Sequence, residues 1–248
     1  MIHIKSLSDV EKMRNAGRIV AECHLLLADA VRPGISLVEL DKMAEAFIRK
    51  HKAEPSFLGY GGFPNSICAS VNNEVVHGFA TKRVLKEGDI ISIDLGATLN
   101  GFIGDAARTH PVGKISEEAQ KLIDVTRESF FKGIEHAREG KRLSDISHAI
   151  QTYVEANNMA VVRDFVGHGV GRELHEDPPI PNFGRPGRGP RLCKGMCLAI
   201  EPMVNLGSYE VETLMNNWTV VTLDGSLSAH YENTIVVLGD QEPEILTM

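Results

Sequence analysis

GDIISIDLGATLNGFIGDAARTH, residues 88–110, is two apolar runs joined by Asn100-Gly101, a dipeptide favoured in two-residue hairpin turns. With that turn as the loop, Leu99 faces Phe102, Gly96 faces Asp105, and Asp94 faces Ala107. Asp94 and Asp105 then become diagonal neighbours on one face, about 7–8 Å apart at the backbone. Each carboxylate interrupts an apolar strand, where an ionised group needs a partner. Arg108 or a histidine could neutralise the pair. A metal ion suits oxygen ligands on two sides of a cleft better.

Ahead of the hairpin, Ser8 with Glu11 reads as a capping box for a helix carrying Val10, Met13, Gly17, Val20, His24, Leu27 and Val31. Pro33-Gly34 breaks it. Ser36 with Glu39 caps a second helix whose stripe is Leu37, Leu40, Met43, Phe47 and Ile48. After the hairpin the order starts again. Residues 116–138 read as a helix with Ala119, Leu122, Val125, Phe130 and Ala137 inward. Glu139-Gly140 breaks it, and Ser144 opens another helix with Ile146, Ile150, Tyr153 and Val154. Strand-like MCLAIEP, NWTVVTL and YENTIVV follow. Gly34 and Gly140 hold equivalent places, much further apart than a solenoid period. The expectation is an α+β chain, one domain of two similar helix-helix-sheet halves (approximately 1–115 and 116–248) facing across a cleft. PPIPNFGRPGRGPRL, residues 178–192, is expected as a surface loop lining that cleft. A simple turn at Asp224-Gly225 would pair Trp218 with Tyr231, on the face opposite Glu232.

A net charge of −7 argues against a nucleic-acid or anionic-membrane surface as the main business. No apolar run approaches a membrane span, and MIHIKSLSDVEKM has no signal-peptide core. Cys23, Cys68, Cys193 and Cys197 form no Cys-x-x-Cys pair, which suits free thiols in a reducing cytoplasm. Lys and Arg are spread along the chain as a solvated surface.

The second half offers GHGVGRELHE, residues 167–176, with Glu201 closing MCLAIEP and Glu232 opening YENTIVV. His175-Glu176 runs into Asp177-Pro178, so no His-Glu-x-x-His helix is possible. Glycines on both sides of His168 let the backbone approach a ligand closely. Taken singly, each carboxylate is an ordinary strand-end residue. Taken together, four sit in or beside apolar β segments, two per half, with His168 between the pairs.

Asp94 in SIDLGA, Asp105 in GFIGDAART, His168 in GHGVGRELHEDP, Glu201 in AIEP and Glu232 in HYENT resemble the five metal ligands of type I methionine aminopeptidases. LGYGGFPNSICASVNNEVVHG belongs to the same resemblance, which covers nearly the whole chain. It implies the pita-bread fold and a centre of two divalent ions (Mn, Fe, Co or Zn), with Asp105 and Glu232 bridging. Asp94 would complete one ion's sphere, and His168 with Glu201 the other's. Glu201 would also shuttle a proton, while His175 and His77 would contact substrate. Tyr60, Phe63, Cys68 and Trp218 match positions lining the methionine pocket. Phe57 and Phe63 replace a cysteine and a tyrosine of some relatives, leaving that pocket more apolar. The resemblance also allows, without requiring, a monovalent cation near Asn72 and Ser228.

The implied partners are nascent polypeptides with N-terminal methionine and a transient ribosome contact, with no nucleic acid or membrane needed. A cytoplasmic monomer is implied. Proline-specific aminopeptidases share the fold but carry a large extra N-terminal domain. A binding protein without chemistry would be expected to have a broken ligand set, and a generic acidic interaction domain would have the pattern by coincidence.

Overall fold

The computed structural model describes residues 1–248. Helix α1 spans Leu7–Ala30 and α2 spans Leu37–Lys50. Ser6, not Ser8, caps α1: its Oγ accepts from Asp9 N, and the Asp9 carboxylate accepts from Ser6 N, both at 3.2 Å. The chain is already anchored at Lys5, whose N–H donates to Gly195 O at 2.9 Å. It therefore turns into the helix early, and Glu11 is left to pair with Arg14. Ser36 and Glu39 form the box expected for α2.

Helices α3 (Glu117–Ile134) and α4 (Leu143–Ala156) repeat the arrangement. The first stops short of residue 138 because Gly133 O and Ile134 O accept tighter, i+3 bonds from His136 and Ala137. The second begins one residue before Ser144, with Asp145 accepting from Arg142 N at 2.8 Å. Equivalence of the halves extends to details. Gly34 and Gly140 both take positive φ, at 93° and 82°. Their N–H groups donate to Leu85 O and Leu192 O at 2.9 and 3.0 Å. Ser36 bridges Val84 just as Arg142 bridges Arg191.

The hairpin strands Ile90–Leu99 and Phe102–Pro111 pair in the expected register, Leu99 with Phe102 and Asp94 with Ala107. Cys68–Val71 adds antiparallel to the first. In the other half Gly167–Gly169 pairs with Cys197–Ile200, which pairs with Asn233–Val236. The halves join where Ala107 and Glu232 exchange backbone bonds at 3.3 and 3.0 Å. Thr234 Oγ1 adds a donation to Asp105 O at 2.9 Å. Helices α1 and α2 bury their apolar stripes against the hairpin, and α3 and α4 against the second sheet. Gly17 and Gly104 let α1 sit directly on the hairpin: a Cβ on Gly104 would lie 2.7 Å from Gly17 Cα. Two pseudo-symmetric helix pairs around antiparallel sheets make this the pita-bread fold.

Two further expectations fail locally. Residues 178–192 do not line the central cleft; they clamp the start of α4, Pro190 O accepting from Leu143 N and Arg188 O from Ser144 Oγ. Ile180 and Leu192 are buried in the core, and Asn182 turns toward the site, donating to Glu201 O at 2.9 Å. Trp218 does not pair with Tyr231 either. The Asp224 carboxylate accepts from Ser208 N and Ser226 N, which sends Ser228–His230 against Met203–Asn205. Strand Val220–Thr222 pairs instead with Val211–Thr213 and, through a register shift, with Glu74–Val76. That shift carries Trp218 to the cleft.

Candidate metal centre and substrate pocket

A cavity of about 190 Å³ lies where the halves meet. Every site residue named from sequence lines it: Asp94, Asp105, His168, Glu201 and Glu232 with His77, His175, Tyr60, Phe63, Cys68 and Trp218. Asp94 and Asp105 come from the hairpin, on one face as the register requires. His168 sits on a strand rather than a loop, paired with Ala199 on one side and facing a register shift between the Gly167–Ile180 and Gly169–Glu176 pairs on the other. Glu201 and Glu232 stand at the ends of strands Cys197–Ile200 and Asn233–Val236.

Asp105, His168 and Glu232 offer ligand atoms all within 4.8 Å of one another. His168 Nε2 is 3.5 Å from Glu201 Oε1 and 3.8 Å from Asp105 Oδ2. Its Nδ1 lies 2.9 Å from Gly169 O. Donation there keeps the proton on Nδ1 and leaves Nε2 free as a ligand. Burial, reinforced by neighbouring carboxylates, pushes Asp94, Asp105, Glu201 and Glu232 well above the usual carboxyl range. No Lys or Arg forms a salt bridge with them. Arg108 spends its guanidinium on Glu232 O, Ala107 O, Thr247 O and Asn233 Oδ1. Burial lowers His168 and His77 to about 4 and His230 to about 3, so all three are neutral at pH 7. Asp94 Oδ1, Asp105 Oδ1 and Glu232 Oε1 are buried without any hydrogen-bond partner. Oxygen-rich ligands, a deprotonated imidazole and orphaned carboxylate oxygens fit a divalent cation.

The electrostatics carry a sign. In metal-free protein each carboxyl's folded pKa lies above its unfolded value. Its stabilising contribution is present below about pH 4 and is lost as pH rises through the folded pKa. A cation replaces those protons, so the rise in Tm on adding divalent metal should grow from about pH 5 to about pH 8. Scanning calorimetry at both pH values checks this; an equal rise would contradict it.

The other end of the cavity is apolar. Phe63 meets Trp218 edge-on at 5.1 Å and Phe79 at 5.5 Å. Tyr60 caps the mouth, its Oη 2.7 Å from His175 Nδ1. His175 stands edge-on to His168 at 4.4 Å, and His77 edge-on to Trp218 at 6.2 Å. Glu176 is absent from the pocket; it pairs with Lys5, whose side chain is 6% exposed and so is not part of a solvated surface. Sequence reasoning missed Phe165, Leu174 and Met203 in the lining. Met203 follows Glu201-Pro202 and Phe165 precedes Gly167-His168, so proximity to a ligand was the only available signal. Asn72 and Ser228 are adjacent, Ser228 N donating to Asn72 O at 2.9 Å.

Fold and site together define a metal-dependent hydrolase built at the junction of two related halves. The model of metallopeptidase family M24 matches residues 11–238, and the chain belongs to that family. It is 62% identical to the methionine aminopeptidase of Clostridium acetobutylicum, covering 100% of this chain and 99% of that one. It superposes on the methionine aminopeptidase of Thermotoga maritima with a TM-score of 0.97 at 48% identity, covering 100% and 99% of the two chains. The X-Pro aminopeptidase of Thermotoga maritima MSB8 shares the fold at 21% identity, with a TM-score of 0.77. The match covers 99% of this chain but 62% of that longer one.

Proposed function

We propose that this protein removes N-terminal methionine from nascent proteins and peptides, preferring a small second residue. The observation that carries the reading is a carboxylate cage with orphaned oxygens at one end of a cavity whose other end is an aromatic cup. Asp94, Asp105, His168, Glu201 and Glu232 would hold two divalent ions. Such ions supply Lewis acidity and an activated water near neutral pH.

The chain's own groups do the rest. Phe63, Tyr60, Cys68 and Trp218 hold an unbranched, polarisable thioether side chain, to which an apolar aromatic cup is suited. His77 orients the peptide through its next backbone amide. Glu201 takes the proton released in the attack and passes it to the leaving amine. His175, neutral because burial lowers its pKa, donates to the developing oxyanion. Tyr60 Oη–H donating to Nδ1 would leave the required proton on Nε2. The substrate's free α-amine reaching the carboxylate end restricts cleavage to chain ends. The whole chain works as one catalytic domain, halves meeting near residue 115, and acts as a cytoplasmic monomer on chains emerging from the ribosome.

Release of methionine from Met-Ala-Ser, measured beside hydrolysis of an Xaa-Pro peptide, tests the reading. Methionine release should dominate; preferential Xaa-Pro cleavage would assign the pocket to the other branch of the fold.

A further inference from the structure

Behind the carboxylate site, a separate cavity of about 160 Å³ opens between strand Phe102–Pro111, α3 and the His230–Tyr231 segment. Its charge is one-sided: Arg108 and Arg127 line it, and no carboxylate does. Arg108 lies 4.5 Å over the Tyr231 ring. Both its Nη groups are taken by carbonyl-type oxygens, and its Nε–H has no acceptor. Arg127 rests 5.2 Å over Phe131, with its guanidinium in no salt bridge. The two arginines are near enough for Arg127 to help lower the Arg108 pKa. His110, also in the lining, buries Nε2 without a hydrogen-bond partner.

Two like charges and an unsatisfied ring nitrogen around one cavity form a donor set lacking its acceptor. Thr109 cannot supply it, because its hydroxyl already serves His230 N, His230 O and Ser92. His230 walls the cavity off from the catalytic site, its Nε2 turned to Glu201 Oε2 at 3.6 Å. The space exceeds that of one water, about 30 Å³, several times over. The geometry points to a small tetrahedral oxyanion, phosphate or sulfate, held between Arg108 and Arg127 with His110 as a further donor. The Arg127 guanidinium fork matches such oxygens, and Arg108 offers its remaining Nε–H.

Calorimetric titration of the metal-loaded full chain with sodium sulfate tests this, with inorganic phosphate as a second arm and chloride holding ionic strength constant. One saturable site is expected in each arm, weakened at least about tenfold in Arg127→Gln and less in Arg127→Lys. Arg127 is exposed on α3, so the fold and peptide turnover should be unchanged. Phosphate also suits divalent ions. Equal binding by wild type and Arg127→Gln would place the anion elsewhere and overturn the proposal, as would no saturable binding of either anion.

Discussion

His175→Ala is expected to keep its metal while turnover falls by about 10²–10³-fold, the usual loss for one oxyanion donor. The rings of His175 and His168 are only 4.4 Å apart, yet their surroundings assign them different work. His168 Nε2 faces Asp105 and Glu201, with Nδ1 beside a carbonyl, the arrangement of a metal ligand. His175 is bound at Nδ1 by the Tyr60 hydroxyl and is not in the group of ligand atoms that converge. His168→Ala should therefore lose metal, and its activity should return in part at high metal concentration. Metal analysis beside turnover on Met-Ala-Ser checks the pair. A His175→Ala protein stripped of metal beside a His168→Ala protein that retains it would reverse the roles.

The second large effect concerns Asp105. It is 3% exposed, has a buried oxygen without a partner, and is pushed up by burial and by Asp94. Asp105→Asn keeps the shape but removes a charge and one of the three converging ligand groups. Activity should fall to background with metal content. Metal-free protein should at the same time become more stable than metal-free wild type, because one of four crowded carboxylates is neutral. The gain should be larger at pH 8 than near pH 5, where the wild-type carboxyl holds more of its proton. Urea unfolding of the chelated proteins checks it; a destabilised metal-free Asp105→Asn at both pH values would show that the charge was not the strain.

Much of this was legible in the sequence for local reasons. Asn100-Gly101 sets the hairpin register, and with it the shared face of Asp94 and Asp105. Gly34 and Gly140 mark matching helix breaks because both need positive φ. What escaped depends on contacts between distant residues. The simple turn that would have paired Trp218 with Tyr231 does not form, because the Asp224 side chain decides where the following strand goes, and the register shift brings Trp218 to the pocket that the resemblance implied. Lys5 read as a surface cation until Glu176 covered it across the fold. Phe165, Leu174 and Met203 are apolar residues that look like core; only the closing of the halves makes them pocket wall. Whether Arg108 or a metal answers the hairpin carboxylates also needed the structure, in which Arg108 faces the other way.

The central claim is that the four carboxylates and His168 hold divalent metal for cleavage of the first peptide bond. Its most direct measurement is methionine release from Met-Ala-Ser by chelated protein, followed by titration with divalent cation while bound metal is quantified. The account predicts no release from metal-free protein and recovery in step with bound metal. Undiminished release with no metal bound would contradict it.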